Sequence, residues 1–174
     1  MREAGREIIM TEKERELLLL IEREGRMPAE KLAKMLDLPM NDVKGMLREL
    51  EERKVIHGYS AIIDWTKASG AEMVTAMIDV KVTPQRGVGF DEVAERIYRF
   101  HEVKACYLMS GTYDLSVVIE GKTMSEIANF VSEKLSTLES VISTTTHFRL
   151  KQYKHDGIIF DEDDDEDHRM VVSP

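Results

Sequence analysis

The sequence contains very little cysteine, and this limits the chemistry that it can support. Cys106 is the single cysteine among 174 residues. It cannot form an intramolecular disulfide, and a zinc site built on repeated cysteine pairs is excluded. A reducing compartment suits such a chain. We therefore predict a cytoplasmic protein with no metal site and no cofactor.

Long hydrophobic runs are also missing. The longest uninterrupted apolar run, residues 17–21, is far shorter than the roughly 18 residues that a membrane helix needs. The first residues lack the apolar segment of a signal peptide. We therefore expect no membrane partner. Residues 1–9, which precede Met10, are interpreted as a short arm, an added helical turn or the result of a misplaced start at Met1.

The acidic charge is concentrated at one end of the chain. The formal net charge is -9, but residues 155–174 alone hold eight acidic side chains and one basic side chain. Since the rest is close to neutral, the acidic average does not exclude nucleic-acid binding. We expect residues 154–174 to form a disordered acidic tail, because its block 161–167 is entirely Asp and Glu. Competition with DNA, or loose metal attraction with His168, is an alternative role.

Three helical segments are predicted in the first 58 residues. Thr11 and Glu14 have the spacing of a capping box at the start of a first helix, about residues 12–24. Pro28 suits the first position of a second helix, and Pro39 breaks the chain before a third. The apolar positions that recur at helical spacing are Leu17, Leu18, Leu20, Ile21, Leu32, Ala33, Leu36, Val43, Met46, Leu47 and Leu50.

The order of these segments predicts a DNA-binding architecture. A short second helix, a tight turn and a third helix are typical of a helix-turn-helix, and residues 55–59 indicate the start of a β-wing. We assign residues 1–58 to a winged helix-turn-helix domain and residues 59–72 to a linker strand and hinge.

After residue 72 the hydrophobic pattern changes its period to two. The alternating positions of the first strand are Val74, Ala76, Ile78, Val80 and Val82. Pro84 and Gly87 end this strand, a helical pattern follows over 90–98, and alternation resumes over 103–109. The same strand–helix–strand order repeats over 115–150. The order βαββαβ predicts an α+β, ferredoxin-like domain over residues 73–153, with four antiparallel strands and two helices on one face.

Three short motifs occur in a defined order along the chain. They are Val55-Ile56-x-Gly58-Tyr59-x-Ala61, Gly111-x-Tyr113-Asp114 and Val141-x-x-Thr144-x-Thr146. Together they resemble the Lrp/AsnC (feast/famine) family of transcriptional regulators over about residues 11–152. The resemblance implies a head that binds double-stranded DNA and a RAM-type regulatory domain that dimerises through its sheet. It also implies assembly of homodimers into tetramers or octamers, and a small effector, usually an amino acid, between dimers.

The chain departs from the family pattern around the third helix. Proline replaces the usual Ser or Thr at two helix starts, the usual Arg of the recognition helix is missing, and a usual Gly is replaced. The residues concerned are Pro28, Pro39, Gly45, Met46 and Lys54. Over residues 40–54 the basic and acidic residues balance. Because phosphate attraction supplies much of DNA affinity, we expect weak binding by each head and dependence on several heads.

The position of each residue in the recognition helix predicts its role. N-terminal residues of such a helix meet base edges, and later residues meet phosphates. The predicted base contacts are Met40, Asn41, Lys44 and Gly45, and the predicted phosphate contacts are Arg48, Lys54 and His57. Gly45 would let the backbone come close. Two alternatives stay open, because Lys44 and Arg48 could pair with nearby carboxylates and Asn41 could cap the helix.

The turn before the third strand of the regulatory domain is the candidate effector site. Asp114 offers a carboxylate for an α-ammonium group, Thr144 and Thr146 offer hydroxyls, and Leu108 or Met109 offers an apolar wall. A purely structural turn would show the same pattern. The predicted effector-binding residues are Met109, Gly111, Thr112, Tyr113, Asp114, Thr144 and Thr146.

The sequence shows no catalytic motif. The five histidines are dispersed, and no phosphate-binding glycine loop is present. Cys106 is predicted to be a small packed residue. Sirohaem decarboxylases are similar to the same family, but residues 102–108 lack the His and Arg that those proteins carry there, so we predict no enzymatic activity. A further alternative is an effector-sensing module that has lost specific DNA binding and acts in hetero-oligomers with related chains.

Overall fold

The computed structural model describes residues 10–69, 73–83 and 89–160. The chain divides into two units between Ile63 and Asp64, within the segment predicted as a linker. Several features of the sequence lie outside the described residues. These are residues 1–9, Pro84, Gly87, the acidic block 161–167 and His168.

Three helices form the N-terminal unit: α1 (Glu12–Arg23), α2 (Ala29–Leu36) and α3 (Met40–Glu52). The Thr11 hydroxyl accepts a hydrogen bond from the Glu14 N–H at 3.2 Å, and the Glu14 carboxylate accepts one from the Thr11 N–H at 2.6 Å. The predicted capping box is therefore confirmed. Pro28 and Pro39 precede α2 and α3 as N-cap residues and provide no side-chain cap.

One side of each helix faces a common apolar core. The buried residues are Leu17, Leu32, Ala33, Leu36, Val43, Leu50 and Ile56. All but Ile56 belong to the predicted helical stripes. Burying one large aliphatic side chain contributes about 1.5–3 kcal/mol, so this cluster is the main source of stability in the unit.

A buried ion pair joins the start of α1 to the end of α3. The Arg53 Nη1 atom lies 2.6 Å from the Glu14 Oε1 atom, and the Glu14 side chain is 8% exposed. The Thr11 backbone hydrogen bond and the Arg53 guanidinium lower the pKa of Glu14, although burial opposes them. The pair therefore holds the C-terminal end of α3 against α1.

The predicted wing and linker strand are wrong for the described chain after α3. Residues 53–64 contain no strand, and a fourth helix, α4 (Trp65–Ser69), follows them. The Asp64 Oδ1 atom accepts hydrogen bonds from the N–H groups of Thr66 and Lys67, at 3.0 and 3.2 Å. An Asp directly before a helical segment is a sequence signal for a helix start, and Asp64 occupies that position before α4.

Strands and helices alternate in the C-terminal unit as predicted. They are β1 (Val74–Val82), α5 (Phe90–Tyr98), β2 (Val103–Leu108), β3 (Leu115–Gly121), α6 (Met124–Phe130), a π-helical turn (Val131–Leu135) and β4 (Val141–Phe148). The strand order is β2-β3-β1-β4, and each neighbouring pair is antiparallel. The α+β, ferredoxin-like fold is therefore confirmed.

The sheet has one face covered by helices and one open face. Alternate residues of β1 and β3, including Ile78, Val80 and Val117, are buried with Ile97 of α5 and Ile127 of α6. The opposite face carries residues such as Met77, which is 49% exposed. The predicted alternation of β1 decides which residues face the helices.

The predicted alternation of β2 is wrong after its first residue. The pairing of β2 with β3 shifts in register between Val103 and Ala105. As a result, Cys106 packs against the core and Tyr107 is 56% exposed. Burial raises the pKa of the Cys106 thiol, which agrees with a packed residue rather than a nucleophile.

The segment predicted as the start of the acidic tail forms a β-hairpin. Its strands are β5 (Lys154–His155) and β6 (Ile158–Ile159). Asp156 and Gly157 join them with φ angles of 45° and 82°. Positive φ at both positions is what a type I′ turn requires, and Asp-Gly is its sequence signal. Residues 154–160 are therefore removed from the predicted tail.

Replacing Glu14 with Gln removes the charge that pairs with Arg53. We expect Glu14→Gln to lower the free energy of unfolding by about 1.5–3 kcal/mol, the usual value of a hydrogen bond to a charged group. The control Glu16→Gln loses a 2.9 Å pair with Lys13, whose side chain is 47% exposed. That control should cost less than about 0.5 kcal/mol. Urea denaturation measures both, and equal losses would contradict a special role for Glu14.

The stabilisation by Glu14 should also depend on pH. Because its pKa is lowered in the folded state, the contribution is complete above the unfolded pKa and disappears as the pH falls through the folded pKa. The difference in unfolding free energy between wild type and Glu14→Gln should therefore shrink below about pH 4, near the ordinary Glu pKa. A difference that stays constant under acid would show that the charge of Glu14 contributes nothing.

Candidate DNA-recognition helix and effector loop

Helix α3 presents a polar side to solvent because its apolar side is buried. Val43 and Leu50 are 0% exposed, and Met46 and Leu47 pack partly on the same core. The exposed residues from Met40 to Arg48 are Met40, Asn41, Asp42, Lys44, Gly45 and Arg48. All four predicted base contacts and the predicted phosphate contact Arg48 are among them.

The charged side chains of α3 differ in their partners along the helix. In its second half, Glu49 lies 3.5 Å from Arg53, and Glu51 accepts a hydrogen bond from the Tyr59 hydroxyl at 2.9 Å. Lys44 and Arg48 have no hydrogen bond or ion pair within the described part of the chain. The alternative in which these two cations pair with neighbouring carboxylates is therefore wrong. Both are available to an external anion.

Asn41 does not cap α3. The helix begins at Met40, its N-cap residue is Pro39, and no side chain caps it. Asn41 is thus the second helical residue, and its exposed amide is not used at the helix start. The capping alternative is therefore wrong. The Asn41 amide is exposed and is available for the predicted contact with a base.

Two backbone positions near the exposed side of α3 are unusual. A Cβ atom at Gly45 would meet no heavy atom within 4 Å, so the helix surface is open there. Lys54, just after α3, has a φ of 57°, in the left-handed region. That conformation costs a residue with a side chain about 1–2 kcal/mol. Both Lys54 and His57 are exposed.

The candidate effector loop is held against β1. The Lys81 ammonium donates to the Thr112 carbonyl at 2.9 Å, and the Asp114 N–H donates to the Val80 carbonyl at 3.1 Å. The Asp114 Oδ2 atom accepts from the Val82 N–H at 2.9 Å and lies 3.8 Å from the Lys81 ammonium. Lys81 is thus a residue of this site that the sequence analysis missed.

The contacts of Asp114 change its predicted role. One of its carboxylate oxygens already accepts a hydrogen bond from the β1 backbone, and the side chain is 21% exposed. Asp114 therefore fixes the shape of the loop, in agreement with a structural turn. Its other oxygen, Oδ1, has no partner among the described residues.

The structure does not bring Thr144 and Thr146 to the open face of the sheet. They pair with Val80 and Ile78, whose side chains are buried under the helices, so the two threonines share the covered face. Thr145 points to the other face, and its hydroxyl lies 2.9 Å from the Tyr113 hydroxyl. The threonine beside the loop is therefore Thr145. Successive residues of a strand point to opposite faces of the sheet. Thr145 lies between two threonines that share the covered face, so the sequence pattern could have placed it on the open face.

No group of three or more His, Cys, Asp or Glu is placed to hold a metal ion in residues 10–69, 73–83 and 89–160. Among the helices that the structure describes, none is long and apolar enough to cross a membrane.

The fold and site define a class of protein. Three helices with a polar, exposed third helix form a helix-turn-helix, and the second unit is a ferredoxin-like domain with an anchored loop. The second unit matches the model of the Lrp/AsnC ligand binding domain over residues 75–159. This match includes the β5–β6 hairpin.

Two kinds of relative agree with this class. The chain is 64% identical over 165 residues to YugG, an uncharacterized HTH-type transcriptional regulator of Bacillus subtilis, with 95% of this chain and 99% of YugG covered. The leucine response regulatory protein LrpA of Mycobacterium tuberculosis has a similar structure, with a TM-score of 0.70, 22% identity and coverage of 84% and 97%. A Neisseria meningitidis transcriptional regulator, solved as an L-Met complex, has a TM-score of 0.66, 20% identity and coverage of 84% and 93%.

The chain belongs to the Lrp/AsnC family of transcriptional regulators. The resemblance of its motifs to this family is confirmed. It is therefore a DNA-binding regulator of transcription with a domain for a small-molecule effector.

Replacing Lys54 with Gly should relieve the left-handed backbone after α3. We expect Lys54→Gly to raise the free energy of unfolding by about 1 kcal/mol, because glycine adopts this conformation without steric cost. The matched control Lys44→Gly places glycine inside a helix and should lower stability by about 1 kcal/mol. Urea denaturation of both variants measures the difference, and a destabilised Lys54→Gly would contradict the strain.

Proposed function

We propose that this regulator binds DNA through the exposed side of α3, assembles as a homo-oligomer and responds to an amino acid. Its place of action is the cytoplasm. The main support for the DNA contact comes from two cations on the exposed side of α3. Lys44 and Arg48 have no hydrogen bond or ion pair in the described chain.

The exposed side of α3 offers both kinds of DNA contact. Its first turns present Met40, Asn41 and Lys44 to base edges in the major groove. Gly45 allows a close approach of the helix backbone, since no side chain projects there. Arg48, Lys54 and His57 contact phosphates and set the orientation on the duplex.

Assembly compensates for the weak charge of each head. The basic and acidic residues of the segment 40–54 balance, so one head gains little from releasing counterions. Linking several heads raises the effective concentration of each at the DNA. The open face of the sheet, with Met77 49% and Tyr107 56% exposed, is the surface through which dimers form. Dimers then associate into tetramers or octamers.

The effector is an amino acid that binds at residues 109–114. The Lrp/AsnC ligand binding domain match includes this loop, and the Neisseria regulator of the same fold is known as an L-Met complex. The free oxygen of Asp114 suits an α-ammonium group, and the hydroxyls of Thr112, Tyr113 and Thr145 suit a carboxylate. Met109, 50% exposed, supplies an apolar wall, and Gly111 leaves room beside it.

Removing the Arg48 guanidinium tests the DNA contact directly. We expect Arg48→Ala to bind DNA more weakly than wild type does. The loss should be similar for the region upstream of the protein's own gene and for an unrelated duplex. The slope of log affinity against log salt should fall by about 1. The control is Arg99→Ala, which removes an exposed arginine paired with Glu95 at 2.5 Å in the other unit. Fluorescence anisotropy across a salt series measures both, and an unchanged slope in Arg48→Ala would place Arg48 away from DNA.

Adding one methyl group at Gly45 separates stability from DNA binding. Because a Cβ there meets nothing within 4 Å, Gly45→Ala should raise the free energy of unfolding by about 0.5–1 kcal/mol. In the complex the methyl group would hold the helix away from the bases, and we expect about tenfold weaker binding. The control Glu52→Ala, on the same helix, should not weaken binding. A stabilised Gly45→Ala variant with full affinity would contradict the close approach.

Removing the Tyr113 hydroxyl tests the effector loop. Tyr113→Phe breaks the 2.9 Å contact with Thr145 and leaves the backbone ties of Asp114 in place. We expect about tenfold weaker amino-acid binding by calorimetry, equal to about 1.4 kcal/mol. The control Tyr98→Phe changes an exposed tyrosine of α5 and should bind as wild type does. Equal affinity of both variants would place the effector elsewhere, and a wild type that binds no amino acid would contradict the effector class.

A further inference from the structure

Asp42 carries a carboxylate on the exposed side of α3 that the protein does not use. It is the third residue of the helix and is exposed, and its side chain has no hydrogen bond or ion pair within the described residues. Every phosphate of bound DNA would repel it. Its place in the first turn suits the helix dipole, and the same charge also lies on the surface proposed to contact DNA.

Two other helices of this protein use the acid at the same position, whereas Glu92, the third residue of α5, makes no such bond within the described residues. In α1 the third residue, Glu14, accepts the Thr11 N–H at 2.6 Å, and in α6 the third residue, Glu126, accepts the Lys122 N–H at 2.6 Å. In α3 the N-cap residue is Pro39, which has no N–H to donate. Asp42 therefore cannot make the reciprocal bond of a capping box. Its carboxylate remains free for a donor outside the protein.

The surface around Asp42 leaves room for such a donor. Gly45, three residues further along, is its neighbour on the helix surface. No side chain projects at Gly45, and a Cβ atom there would meet nothing within 4 Å. A base edge that approaches Gly45 therefore comes within reach of the short Asp42 side chain.

The major groove offers few groups to which a carboxylate can bond. The donors on its base edges are the amino groups of cytosine and adenine, whereas guanine and thymine present only acceptors to a hydrogen-bonding side chain. Adenine places the acceptor N7 beside its amino group, which repels the second carboxylate oxygen. Cytosine presents its amino group without an acceptor of its own. A carboxylate at this point therefore favours cytosine.

We propose that Asp42 is a specificity-determining residue that accepts a hydrogen bond from the amino group of one cytosine in each DNA half-site. This inference rests on the proposed contact of α3 with DNA. Asp42 raises selectivity by penalising the other three bases as well as by bonding to cytosine. The price is a lower affinity for DNA in general, because the carboxylate faces a polyanion.

Selection of bound duplexes from a randomised library tests the proposal. Wild type should enrich cytosine at one position of each half-site. Asp42→Ala should lose the preference at that position only, and Asp42→Asn should shift it to adenine, which an amide bonds at two atoms. The control Glu52→Gln changes an exposed acid at the far end of α3 and should keep the wild-type motif. In direct titration, replacing the cytosine should weaken wild type about tenfold and leave Asp42→Ala unchanged.

The outcomes separate this inference from the proposed function. A wild-type motif that Asp42→Ala retains at every position would overturn the role of Asp42 and leave the DNA contact of α3 in place. If Asp42→Ala loses thermal stability but keeps the motif, the role of Asp42 is to stabilise the N-terminus of α3 through the helix dipole. That result would also overturn the proposal. A wild type that enriches no sequence would overturn both.

Discussion

Burial of Val43 and Leu50 fixes the rotation of α3 about its own axis, and the functional surface depends on that rotation. Both side chains are 0% exposed. With 3.6 residues in each turn, Lys44, Gly45 and Arg48 then face solvent. The ion pair of Arg53 with Glu14, at 2.6 Å, fixes the far end of the helix. Because the core and the ion pair act at different places, rotation or tilt of α3 would break one of them, and the exposed residues keep a defined arrangement.

The same arrangement explains how a helix with more acidic than basic residues can serve a DNA-binding protein. Two of its four acidic residues are engaged, because Glu49 lies beside Arg53 and Glu51 accepts the Tyr59 hydroxyl. Its two cations, Lys44 and Arg48, have no partner within the described chain. Both cations are thus available for contact with DNA, but the unpaired carboxylate of Asp42 lies on the same surface. Affinity then depends on several heads together, and sequence preference on polar groups of the first turn.

Most of the fold could be predicted from periodic patterns, and the errors have physical causes. The helical spacing of α1 to α3 and the alternation of β1 follow directly from which residues are buried. The bulge between Val103 and Ala105 shifts the register of β2, and alternation alone cannot show such a shift. The hairpin at Asp156 and Gly157 is short, and the adjacent acidic block obscured its turn signal.

The candidate sites were predicted less completely, because contacts across strands decide them. The exposure of Asn41, Lys44 and Arg48 follows from helix periodicity. Thr145 became part of the effector loop only through its register with Asp79 and its contact with Tyr113. Amide hydrogen exchange with and without a duplex from the chain's own upstream region tests the central claim most directly. If α3 contacts DNA, amide exchange in residues 40–48 should become slower when the duplex is added. High salt should reverse this protection. Protection confined to other segments, at saturating DNA, would contradict that claim.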